Sequence, residues 1–115
     1  MPKYLFRFGY CTPHQWKDNE EYGWDDESSD AFFVVAKNRK SAEVRGCEVV
    51  EVLCRKLFEK AEWNCEIPSW KNSGFAFWIE KDHNAIPEEF LKEYPVVQVG
   101  HQYDFTKWNP TGLAE

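Results

Sequence analysis

The chain has 115 residues, 43% hydrophobic and 17% aromatic, and carries a net charge of −6. That length suits one domain, and six Trp, nine Phe and five Tyr supply enough apolar area for a core without disulfide or metal staples. The acidic balance argues against a nucleic-acid binder, which needs a basic face, and no apolar run approaches the roughly 20 residues of a membrane span.

The first residues, Met1-Pro2-Lys3-Tyr4-Leu5-Phe6-Arg7, place an arginine where a secretory leader would need an apolar stretch, so the expectation is an unexported, cytoplasmic protein. From Tyr4 to Tyr10 the residues Tyr4, Phe6, Phe8 and Tyr10 alternate with Leu5, Arg7 and Gly9, the period of a strand. Thr12-Pro13-His14-Gln15 then reads as a capping box with proline in the first turn, predicting a short helix from about Pro13 to Tyr22. Gly23 is placed to end it in the left-handed conformation. Trp24 to Asp30 reads as a polar loop. The apolar run Ala31-Phe32-Phe33-Val34-Val35-Ala36 suits an interior strand covered on both faces.

The spacing predicts a long helix from a cap at Ser41 to about Ala61, with Cys47, Val50, Leu53, Cys54, Leu57, Phe58 and Ala61 as its apolar stripe. Glu51 and Arg55 are spaced for an i,i+4 pair. After a loop containing Trp63 and Trp70, Phe75 to Glu80 reads as a third strand. Pro87 opens a short helix that must stop near Tyr94, because Pro95 follows. Val96 to Val99 is a fourth strand, and the aromatic tail from His101 includes Tyr103, Phe105 and Trp108. The whole predicts one α+β domain spanning residues 1–115: a mainly antiparallel four-stranded sheet with one long helix packed on a face and two short helices. The helical stripe is expected to meet Phe6, Phe8, Phe33, Val35, Phe77 and Ile79.

Charge is unevenly placed. Residues 17–30 hold seven acids and one base, while the remainder of the chain is neutral. Trp16, Tyr22 and Trp24 lie among or beside these acids, and large aromatics with a charged rim are the composition of an interface. The candidate binding residues are therefore Trp16, Tyr22, Trp24, Asp25, Asp26 and Glu27. The acids are contiguous and lack the central glycine and alternate spacing of a calcium loop, so no metal site is expected there. No cofactor fingerprint occurs elsewhere, and no cofactor is expected.

The alternative is a small enzyme or ligand-binding domain using Cys11, His14 and the nearby carboxylates. Cys11 precedes a helix N-terminus, a position that can lower a thiol pKa. A Cys–His nucleophile also needs an orienting group and an oxyanion site, and the sequence identifies neither. Cys11, Cys47, Cys54 and Cys65 form no CxxC pair. On one helix Cys47 and Cys54 would lie roughly 10 Å apart, too far for a bridge, so free thiols are expected. His83 and His101 have Asp82 and Asp104 nearby but no metal-ligand spacing, and read as surface histidines. Trp63 and Trp70 are expected to close the core over one end of the long helix, with room for a pocket between them.

The words Arg7-Phe8-Gly9-Tyr10-Cys11-Thr12-Pro13, Gly23-Trp24-Asp25-Asp26-Glu27-Ser28-Ser29 and Phe77-Trp78-Ile79-Glu80 resemble those of a family of small bacterial proteins of similar length. The resemblance implies a bacterial protein and transfers no activity or residue role. Together these features predict a small non-enzymatic binding protein of the bacterial cytosol, such as an inhibitor or immunity-type protein. Its segment 14–30 would meet a basic protein partner, with no nucleic acid or membrane involved.

Overall fold

The computed structural model describes residues 2–61, 63, 66–80 and 95–99. Within them the elements run β1 (Lys3–Tyr10), α1 (Pro13–Tyr22), β2 (Ser28–Val35), α2 (Arg39–Glu59), β3 (Phe77–Glu80) and β4 (Val96–Gln98), with a 3-10 turn at Lys71–Ser73. The expected helix at 87–94, the tail from His101, Cys65, His83, Asp82 and Asp104 lie outside the described residues.

The four strands form one sheet in the order β3-β1-β2-β4. β1 pairs antiparallel with β2 and with β3, whereas β2 pairs parallel with β4. The sheet is therefore mixed, which corrects the expectation of a mainly antiparallel one at its β2–β4 ladder. The helix content also differs: α1, α2 and the 3-10 turn are the helical elements among the described residues.

The ladder between β1 and β2 decides which side chains meet α2. Phe6 stands opposite Phe32 and Tyr4 opposite Val34, so Phe32 and Val34 share the face of β1's aromatic row. Leu5 stands opposite Phe33, which puts Phe33 in a smaller buried cluster with Leu5 and Ala31 on the other face. The expectation that Phe33 and Val35 would meet the helix is thus off by one residue. A single-residue shift exchanges the two faces of a strand, and a continuous apolar run holds no alternation to fix it.

α2 lies across β1, β2 and β3. Its buried residues are Ala42, Gly46, Val49, Val50, Leu53, Cys54, Leu57 and Phe58. At Gly46 helix and sheet approach closely, since a Cβ there would drive into the Phe6 ring. Asn38, not Ser41, caps the helix: its side-chain oxygen accepts a 2.9 Å hydrogen bond from the Ser41 amide. Either residue type suits a cap, and the turn conformation selects the earlier one.

The core beneath α2 is built of rings. Phe6 lies 5.2 Å from Phe32 and 5.5 Å from Phe77, and Phe8 meets Trp70 edge-on at 6.4 Å. Full burial of Phe6, Phe8 and Phe32 stabilises the fold by about 1.5–3 kcal/mol each, while Phe77 covers the Phe6 ring from a partly exposed position. Trp70 comes from an irregular segment, and its indole N–H donates to the Gly9 carbonyl at 2.8 Å, which satisfies the ring's polar atom inside the core. The segment around it is tied to α2 by Glu51, whose carboxylate accepts from the Ser69 hydroxyl at 2.9 Å and the Lys71 amide at 2.8 Å. The Glu51–Arg55 pair also forms, at 3.8 Å, but Arg55 is largely exposed and the pair adds little.

Candidate functional site

The capping box at the start of α1 forms as its residue types dictate. Thr12 Oγ1 accepts from the Gln15 amide at 3.2 Å, and the Gln15 side chain accepts from the Thr12 amide at 3.0 Å. Gln15 also accepts from the Ser28 hydroxyl at 3.1 Å, joining the start of the helix to the start of β2. At the far end Gly23 adopts φ 69°, a left-handed conformation, and turns the chain back. The loop 23–27 is thereby brought against the side of α1.

Asn19 fixes that loop by its backbone. The Asn19 side chain donates to the Asp26 carbonyl at 2.9 Å and accepts from the Asp26 amide at 3.0 Å. The Cys11 thiol donates to the same carbonyl at 3.2 Å. With the backbone of Asp26 held from two sides, the side chains of Asp25, Asp26 and Glu27 are left exposed to solvent. Tyr22 and Trp24 are also exposed, at 57% and 50%, and their rings stack at 4.8 Å. Trp16 is half-buried and packs edge-on against Phe58 of α2 at 6.3 Å. The structure therefore gathers all six candidate binding residues on α1 and the loop that follows it.

A groove of about 320 Å³ runs between α1 and this loop. Trp16, Trp24 and Phe75 supply aromatic wall, and Glu20, Asp25, Asp26 and Glu27 supply carboxylates. A second groove, of about 490 Å³, lies on the other side of Trp16 and shares both Trp16 and Glu20 with the first. There the Lys17 ammonium sits 4.9 Å over the Trp63 ring, with His14 packed against that ring at 4.9 Å.

Cys11 and His14 are not brought together. Cys11 is buried beneath the loop, while His14 is exposed and packs on Trp63. The Cys11 thiol is pushed up to about 11, first by burial and then by the negative charges of Glu27 and Asp26. The helix start that could have lowered its pKa is outweighed by burial and then by these charges, so the group is a neutral thiol at physiological pH. Cys54, on the buried side of α2, is pushed up to about 12, chiefly by burial. Cys11, Cys47 and Cys54 are free thiols. Among the described residues no cluster of His, Cys, Asp or Glu is set to hold a metal ion, and no helix is long and apolar enough to cross a membrane.

In the grooves lined by described residues, Trp63 and Trp70 border different ones. Trp70 is a core residue that borders a groove of about 400 Å³ with Cys47 and Phe77, whereas Trp63 borders the groove beside α1. The role of Asn19 was missed in the sequence. Its only signal there is position, an amide-bearing residue on the face of a short helix that the chain must recross after Gly23.

No protein family, curated protein or solved structure matches the chain.

Proposed function

We propose that the chain is a small protein-binding module of the bacterial cytosol, of inhibitor or immunity type, that meets a basic protein partner through α1 and the loop 23–27. The observation that carries the reading is the stacked, exposed pair of Tyr22, at the end of α1, and Trp24, on a loop whose backbone is anchored at Asp26 while its three acids are exposed. Exposed aromatics cost apolar hydration, which a partner that covers them would relieve. A partner with a basic patch would cover the rings and relieve repulsion among the acids.

The test is affinity capture from the bacterial host with two baits in parallel, wild type and the Asp25→Lys, Asp26→Lys variant, followed by identification of the captured proteins. The reading expects a basic protein held by the first bait and lost by the second. Equal capture by both baits, with the variant folded, would place the binding surface elsewhere.

A further inference from the structure

The groove between α1 and the loop 23–27 differs from the rest of the acidic face in having walls. Trp16 and Trp24 line it, and Tyr22, which does not, backs the Trp24 ring by stacking on it. Four carboxylates, from Glu20, Asp25, Asp26 and Glu27, line the same space, and among the described residues no lysine, arginine or histidine does. Among the described residues none of these four carboxylates is held in an ion pair. The floor is already committed: the side chain of Asn19 and the thiol of Cys11 both bond to Asp26. What remains unmatched is negative charge beside aromatic rings, in a space of about 320 Å³.

We infer that this groove seats an arginine side chain presented by the basic protein partner. The inference rests on the reading of this face as a protein-binding surface and names what enters it. A guanidinium is planar, weakly hydrated and always charged; it stacks on an indole and forks two N–H donors towards a carboxylate. Lysine offers a point charge with a stronger hydration shell and cannot match both features at once. A cation–ring contact already forms next to this groove. One groove away, on the other side of Trp16, the Lys17 ammonium rests over Trp63. A metal ion is a poorer occupant, because no three ligating side chains converge among the described residues. Since the Cys11 thiol is neutral, the charge that the described lining residues bring to the groove comes from their carboxylates.

The experiment is a titration of the intact chain with Nα-acetyl-arginine amide and, separately, its neutral isostere Nα-acetyl-citrulline amide, read by the indole N–H signals in NMR. Hexaarginine and hexalysine form two further arms. The arginine amide should shift the Trp16 and Trp24 indole signals saturably, while the citrulline amide leaves them in place. Trp24→Ala should weaken arginine binding roughly threefold to thirtyfold, the range of a desolvated cation–ring contact. Because that variant also loses its stacking with Tyr22, a second variant, Asp25→Asn with Glu27→Gln, keeps the rings and removes two charges; it should weaken arginine binding as well. If hexalysine and hexaarginine bind equally and Trp24→Ala changes neither, the arginine seat is wrong while the basic-partner reading stands. If no basic probe binds, both fail.

Discussion

Two aromatic regions of this protein have opposite fates. Beneath α2, Phe6, Phe8, Phe32 and Trp70 are buried and satisfied by one another, with the one polar ring atom bonded to the backbone. Beside α1, Tyr22 and Trp24 pair with each other and stay half exposed. The difference is not residue type. A helix that lies across three strands gives the first set a surface to bury against, while the second set stands at the end of α1 and on the loop that follows, which is held by hydrogen bonds to the Asp26 backbone. Apolar packing therefore sets stability in the first region. In the second, hydrogen bonds to the Asp26 backbone hold the loop while Trp24, Asp25 and Asp26 stay exposed.

The comparison is broken most forcefully from the core side. Phe8→Ala should cost about 3–5 kcal/mol by leaving a cavity between Phe32 and Trp70, measured by urea denaturation. A loss near that of a surface substitution would mean the rings beneath α2 are not the stabilising core. Gly46→Ala should cost about 1–3 kcal/mol in the same assay, because its methyl group meets the Phe6 ring and forces helix and sheet apart. Asn19→Ala, at the rim, should cost only about 1 kcal/mol, the net worth of its exposed bonds to Asp26. It should instead speed amide exchange at Asp26 and alkylation of Cys11, which lies beneath that loop.

The remaining effect is a pH dependence. The folded Cys11 pKa of about 11 lies above the ordinary value of 9.0, so the folded chain holds this proton more tightly than the unfolded chain. The associated stabilisation is complete below pH 9.0 and is lost as pH rises through about 11. Urea midpoints from neutral pH up to roughly pH 10.5 should fall less steeply in Cys11→Ala than in wild type. Parallel profiles would contradict the burial of that thiol.

How much of this was legible in the sequence depended on the range of the signal. The alternation of β1, the Thr12–Gln15 box and the glycine after α1 are local, and each appears where the residues place it. The face of β2 was not legible, because Ala31 to Ala36 is apolar throughout and only pairing with β1 selects Phe32 and Val34 for the core. The parallel direction of β4 is likewise a property of the path between strands, and Val96-Val97-Gln98 carries no trace of it. At the candidate site the residue types were readable as a cluster of acids and rings. The bonds that shape it join Cys11 and Asn19 to Asp26, across fifteen and seven residues, and no spacing rule announces them.

The central claim is that the rim region serves recognition and not stability, and one measurement tests it directly. The association rate between the chain and its captured basic partner should be followed across ionic strength for wild type and for Asp25→Lys with Asp26→Lys, alongside the melting temperature of each. The account predicts a variant that melts no lower than wild type yet associates at least about tenfold more slowly at low salt, with a flattened salt dependence. A variant that folds normally and associates at the wild-type rate at every salt concentration would contradict it.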